Sequence, residues 1–205
     1  MSLNMALPLA AVVASAAVSA VGTFVVRRWA TRIGFVDRPG GHKAHAAPVP
    51  LGGGIAVVAG VVLPVLGVLV VARVTAGGGP AWWPAEIGTH LAGIVAKTPT
   101  ALGIVGAAVV MCLLGVIDDV RPLGASIKFL VQTAVAAFLV VVLDLRLLSH
   151  LGWLPSTVLS VAWIVTLTNS LNFLDNMDGL ASGVAMIAAG VFATTSMLAG
   201  QIFVP

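Results

Sequence analysis

Long uncharged apolar runs, separated by short polar loops, limit what this chain can become more than any other feature. Residues 101–117, ALGIVGAAVVMCLLGVI, carry no polar side chain and stop directly at Asp118. Crossing a hydrocarbon core of about 30 Å takes about 20 apolar residues as a helix, and inside lipid only helices and closed barrels satisfy their own backbone groups. Other such runs extend from Met5 to Val26, Leu51 to Ala72, Phe129 to Leu143, Trp153 to Leu174 and Leu180 to about Ile202. The Phe129 run is short, and Lys128 lengthens it by laying its methylene stem along the apolar surface while its head reaches water. The sequence therefore predicts an all-α, polytopic membrane helix bundle of about six transmembrane helices. They consume nearly all of residues 1–205, leaving one integral membrane domain and no room for a separate soluble one. Only 8% of the residues are Asp, Glu, Lys or Arg, against roughly a quarter in soluble proteins, which excludes an ordinary soluble fold.

Charge then orients the spans. Arg27, Arg28 and Arg32 follow the first run instead of preceding it, the reverse of a secretory signal peptide, so the run reads as a retained helix with an outside N-terminus. Alternating the spans places Arg27, Arg28, Arg32, Arg38, Lys43, Arg121 and Lys128 in one set of loops and Arg73, Lys97 and Arg146 in the other. The positive-inside bias makes the first set cytoplasmic. The net charge of +3 is explained by this orientation, and no nucleic-acid partner is expected. Cys112 is the one cysteine and sits within an apolar run, so no intrachain disulfide forms. Trp82 and Trp83, in the outer loop, read as an interfacial anchor.

Five of the seven carboxylates gather at span ends on the cytoplasmic side: Asp37, Asp118, Asp119, Asp175 and Asp178. Ionisable groups near lipid are costly and are usually kept for function. Asp118 and Asp119 point about 100° apart if helical, and at a helix end opening to water both reach a shared cation or a polyanionic substrate. An interfacial ion pair with Arg121 is the alternative. Asp175 and Asp178 share a face if their segment is helical, and with Asn169, Asn172 and Asn176 they offer oxygen donors suited to a hard cation such as Mg2+. Acid clusters of this kind usually handle phosphates, where catalysis is mainly positioning and charge neutralisation. The first loop adds Lys43, a compact positive charge for phosphate, and His42 and His45 beside it. Positive-inside residues followed by a glycine-rich helix start, LGGG at Leu51 to Gly54, form the plainer reading of that loop. HxxH alone gives no zinc site, and His90 and His150 fall on the opposite side.

Three segments, GFVDRPGGHKAHAAPVPLGGG, GVIDDVRPLGASIKFLVQ and NSLNFLDNMDGLASG, stand in this order between about Val26 and Ala189. Together they resemble the polyprenyl-phosphate N-acetylhexosamine-1-phosphate transferases, glycosyltransferase family 4. The first loop is closer to the bacterial undecaprenyl-phosphate GlcNAc-1-phosphate branch, which starts lipopolysaccharide O-antigen, enterobacterial common antigen or teichoic-acid linkage synthesis, than to the branch that uses UDP-MurNAc-pentapeptide. The resemblance implies attack by undecaprenyl phosphate on the sugar-bearing phosphorus of a UDP-N-acetylhexosamine, giving a lipid-linked diphosphosugar and UMP. It implies that Asp118 activates or orients the lipid phosphate and Asp119 organises the Mg2+ and phosphate site. By the same carry-over Asn172 is the Mg2+ ligand, with Mn2+ as the alternative ion. Asp175 and Asp178 lie near the nucleotide, and Lys43 and His45 approach substrate phosphates. The implied setting is the bacterial inner membrane, with the bilayer, the lipid phosphate and the nucleotide sugar as partners and a homodimer left open.

The family has about ten or eleven spans, with a later GDSG-like aspartate as second metal ligand and a His-rich loop beyond it. This chain is accordingly expected to be the N-terminal part of a longer transferase. The alternative is an inactive truncated membrane protein that binds polyprenyl phosphate or a nucleotide sugar. A transporter using intramembrane acids as a cation relay fits poorly, because its acids belong at mid-span.

Overall fold

Apolar length decides the architecture. In the computed structural model, which describes residues 3–37, 48–75, 77–78, 80, 85–175 and 179–198, five helices are long and apolar enough to cross a membrane: Leu9–Ile33, Gly53–Thr75, Thr98–Val120, Ala125–Val142 and Trp153–Leu174. A shorter apolar helix covers Leu180–Ser196. Large apolar side chains such as Val61 and Leu113 are exposed along them, as expected of segments whose solvent is lipid. The chain divides into two compact units, Met1–Ala125 and Ser126–Pro205.

In the first unit, α1 (Leu3–Ile33) runs past the expected end at Val26 and carries Arg27, Arg28 and Arg32 in its last turns. Arginine is a good helix former, and a helix leaving the bilayer keeps its backbone bonds, so charge marks the membrane boundary without ending the helix. Gly34, at φ 76°, ends it instead: the Phe35 N–H donates to the Ala30 carbonyl at 2.8 Å, the six-to-one closure of a Schellman motif. Two short strands follow, β1 (Val36–Asp37) and β2 (Val49–Pro50), paired antiparallel with Val36 opposite Pro50 and Asp37 opposite Val49. They close the base of the first loop and deliver the chain into α2 (Gly53–Thr75).

Helix α2 packs antiparallel on α1 through small residues. A Cβ on Gly22 would meet Ala56 Cβ at 3.3 Å, and one on Gly60 would meet Ser19 Cβ at 2.8 Å, so the two backbones approach as closely as side-chain-free contact allows. A helix not anticipated from the sequence, α3 (Ala85–Ala96), lies in the segment read as an outer loop. Its 12 residues are too few to span a bilayer, and Glu86 and His90 interrupt the apolar pattern. Trp82 and Trp83 lie outside the described residues. Helix α4 (Thr98–Val120) completes the unit. It keeps Asp118 and Asp119 in its last turn and stops where Arg121 turns extended (φ −138°, ψ 103°) before Pro122, since a residue preceding proline is pushed out of the helical region.

In the second unit, α5 (Ala125–Ala137) continues through a π-helical turn, Phe138–Val142, and thereby reaches the length its apolar core lacked. The connection to α6 (Trp153–Leu174) places Asp144 and Leu148 at positive φ, 56° and 52°. Fully buried Ser160 on α6 accepts the Leu147 N–H at 2.7 Å and donates to the Ser156 carbonyl at 2.6 Å. Arg146 Nε donates to Asp144 Oδ1 at 2.6 Å. Removing the hydroxyl strands the loop amide, a loss of about 1–3 kcal/mol. Ser160→Ala is expected to lower the thermal midpoint in detergent by a few degrees; an unchanged midpoint would show that the loop is held elsewhere. After Gly179, at φ 77°, α7 (Leu180–Leu198) forms with nearly all its described side chains exposed.

Candidate active site

The first unit brings Asp37, Asp118 and Asp119 to one end. Helices α1 and α4 finish there and α2 begins there, with β1 presenting Asp37. Carboxylates in the last turn of a helix face the negative end of its dipole, costing roughly 0.3–1 kcal/mol each, so α4 alone is a poor place for two of them. The surroundings compensate. Asp118, half-buried, accepts the Leu123 N–H on Oδ1 at 2.7 Å, which folds the turn after α4 back onto its own end. The Asp119 carboxylate lies within electrostatic reach of the Gly52 backbone N–H, immediately before α2. Its charged neighbours among the described residues are Asp118 and Asp37. Three acids in mutual electrostatic reach repel one another, and the arrangement is relieved by a cation or by the donors of a bound ligand.

In the second unit, Asn172 is exposed in the last turn of α6 and Asp175 follows it as the exposed C-cap residue. Helix α6 ends at Leu174, with Asp175 in a turn conformation (φ −76°, ψ 16°). The expected helical face shared by Asp175 and Asp178 falls partly outside the described residues. One turn earlier, half-buried Asn169 donates through Nδ2 to Gln132 Oε1 on α5 at 2.7 Å and to the Val165 carbonyl at 2.8 Å. Lys43, His45 and Asp178 lie outside the described residues.

Two functional features escaped the sequence reading. Gly52 registered only as part of a glycine-rich helix start, and its nearness to Asp119 depends on a tertiary contact that spacing does not reveal. Gln132 carried a readable signal, an amide side chain within a largely apolar helix, and was passed over.

Among the described residues no group of three or more His, Cys, Asp and Glu side chains is placed to hold a metal ion. This is no obstacle to magnesium, which keeps several waters and is usually held by one or two carboxylates together with substrate phosphates. Carboxylate and amide oxygens of the kind Asp118, Asp119 and, in the other unit, Asn172 each offer suit a hard cation and not zinc.

Comparison with known proteins identifies the family. The family described as Glycosyl transferase family 4 matches residues 101–204. A Bacillus subtilis protein named "Probable undecaprenyl-phosphate N-acetylglucosaminyl 1-phosphate transferase" is 32% identical over 191 residues, covering 89% of this chain and 46% of its own length. A decaprenyl-phosphate N-acetylglucosaminephosphotransferase of Mycobacterium tuberculosis is 28% identical, with 85% of this chain and 42% of its own length covered. A phospho-N-acetylmuramoyl-pentapeptide-transferase of Mycolicibacterium vanbaalenii is 32% identical, with 88% and 55% covered. The chain thus spans about half the length of these relatives. No solved structure matches. With that profile covering more than half of its residues, and with its acids gathered at the ends of membrane helices, the chain belongs to glycosyl transferase family 4.

Proposed function

We propose that this protein acts in the transfer of N-acetylhexosamine 1-phosphate from a UDP-sugar to undecaprenyl phosphate, releasing UMP, as the first membrane step of a cell-envelope polysaccharide. The observation that carries the reading is the convergence of Asp37, Asp118 and Asp119 around the start of α2. The family and the names of the relatives support the phosphosugar chemistry. The lipid phosphate oxygen attacks the sugar-bearing phosphorus, the bond from that phosphorus to the UMP oxygen breaks, and the electron pair leaves with UMP. A phosphate monoester has a second pKa near 6 and is largely dianionic at neutral pH, so Asp118 serves chiefly to orient the acceptor and to take its residual proton when it arrives as the monoanion. Asp119 organises the phosphate site, Lys43 and His45 approach the substrate phosphates, and Asp175 and Asp178 lie toward the nucleotide. Magnesium, or manganese in its place, would be held by Asn172 and would neutralise diphosphate charge. The loops rich in Arg and Lys face the cytoplasm of a bacterial inner membrane.

The test is UMP release by the purified chain in membranes supplied with undecaprenyl phosphate and UDP-N-acetylglucosamine, with UDP-MurNAc-pentapeptide as the competing donor suggested by the M. vanbaalenii relative. Release with the first donor and not the second supports the reading; saturable binding of either substrate without release refutes turnover. That second outcome is the binding-only reading. Asn172→Ala is expected to lower turnover by about tenfold or more, with partial recovery as Mg2+ is raised. A variant insensitive to added Mg2+ removes Asn172 from the metal site.

A further inference from the structure

We propose that Gln132 is a positioning residue for Asn172: through Asn169 it ties α5 to α6 and fixes the last turn of α6, which carries Asn172. What Asn172 does there rests on the transfer reading above; that its turn is held rests on the hydrogen bonds. Asn169 Nδ2 donates to the Val165 carbonyl at 2.8 Å and to Gln132 Oε1 at 2.7 Å. A backbone carbonyl only accepts, so the first bond identifies the Asn169 atom as nitrogen, and the second then requires the oxygen of Gln132 to face it. Both hydrogens of that amide are committed, one to its own helix and one to the neighbour. The side chain is locked, and with it the register of the two helices at this level.

This tie stands where packing runs out. The buried residues described in this unit are Ala136, Val140, Ser156, Ser160 and Val165, and all lie on the side of the Gln132–Asn169 bond nearer the α5–α6 connection. No described residue between the bond and Asn172 is buried, so the restraint on the final turn comes from polar contacts and the backbone rather than from a packed core. A second tie, from the Leu147 N–H to Ser160 Oγ, sits nine residues earlier on α6, roughly 13 Å along the helix. The two divide the pair: Ser160 fastens the connection, and Gln132 fastens the end that carries Asn172. Fixing register is the best-attested use of a polar pair within a helix interface, and Asn172 follows Asn169 by three residues, on nearly the same face.

Three variants of the intact chain test this. Gln132→Met keeps the length of the side chain and removes its oxygen, Gln132→Glu keeps an oxygen facing Asn169, and Ser160→Ala loosens the same helix pair at its other tie. Gln132→Met is expected to lower kcat for UMP release about tenfold, the cost of a small misplacement, with the UDP-sugar KM within about threefold of wild type. Gln132→Glu should restore kcat to within about threefold of wild type, and Ser160→Ala should hold it within about twofold. In an Asn172→Ala background Gln132→Met should lower the residual rate by less than about twofold, the non-additivity of residues acting through one group. Wild-type kcat in Gln132→Met, an equal loss in Ser160→Ala, or equal losses in both backgrounds overturns the proposal. Amide hydrogen exchange in detergent reads the tie without the reaction. Gln132→Met should speed exchange of the residue 171–174 amides about tenfold, while Ser160→Ala leaves them unchanged. Unchanged rates in Gln132→Met overturn the proposal. Faster exchange in a chain whose wild type releases no UMP supports the tie and strikes only the transfer reading.

Discussion

Asp118→Asn and Asp119→Asn are each expected to lower hexosamine 1-phosphate transfer by about 10²–10³-fold, the scale of removing one preorganised electrostatic group from a site where charge is redistributed. Both variants should remain folded. An asparagine at 118 still presents an oxygen to the Leu123 N–H, now made at 2.7 Å, so the turn closing α4 survives. Asp119 is exposed, and asparagine there keeps its size and shape. Each change removes one negative charge from the wrong end of a helix dipole and one member of a mutually repelling trio, relieving roughly 0.3–1 kcal/mol. Activity and stability should therefore move in opposite directions, with a thermal midpoint equal to or above wild type while UMP release collapses. That opposition separates a functional acid from a structural one. If Asp118 served only as an interfacial partner of Arg121, its neutralisation would leave turnover intact and would not raise the midpoint.

The same acids mark how far the amino-acid order carries. Hydrophobic length is a one-dimensional property, so five spans and a shorter sixth helix were readable from the runs themselves. Alternation then forced Asp37, Asp118 and Asp119 to one end of α1, α2 and α4. Helix ends were harder, because α1 passes through Arg27, Arg28 and Arg32 before Gly34 stops it. Charge signals the edge of the bilayer, whereas the left-handed glycine signals the edge of the helix, and the two differ here by two turns. Helix α3 was invisible for the opposite reason: too short to cross lipid and too broken by polar residues for a periodic pattern. The approach of Gly52 to Asp119 joins positions 67 residues apart, and the Asn169–Gln132 bond joins two helices across 37. No local spacing rule encodes either.

Gly60→Val is expected to cause the largest loss of stability in the first unit. A Cβ on Gly60 already falls 2.8 Å from Ser19 Cβ, 3.3 Å from Ser19 Cα and 3.0 Å from the Ser15 carbonyl oxygen. Two of these three neighbours are backbone atoms, so rotamer adjustment cannot relieve the overlap and α1 must move away. Overpacking of this kind costs about 1–3 kcal/mol for added methylenes, and a branched side chain between two membrane helices belongs at the upper end. Gly22→Ala, whose nearest contact is Ala56 Cβ at 3.3 Å, should cost less. Gly67→Ala, in the same helix as Gly60 but with nothing within 4 Å, should be neutral or gain up to about 1 kcal/mol from helix propensity. Thermal midpoints of the three in one detergent should therefore rank Gly60→Val lowest and Gly67→Ala highest. Separation of α1 from α2 also displaces Phe35 and the turn at Gly52, so Gly60→Val should impair transfer even though it lies two turns from the acids, and Ser19→Gly, which deletes the nearest clashing atom, should restore part of both losses. Equal midpoints at positions 60 and 67 would mean that the α1–α2 seam is looser than its distances require.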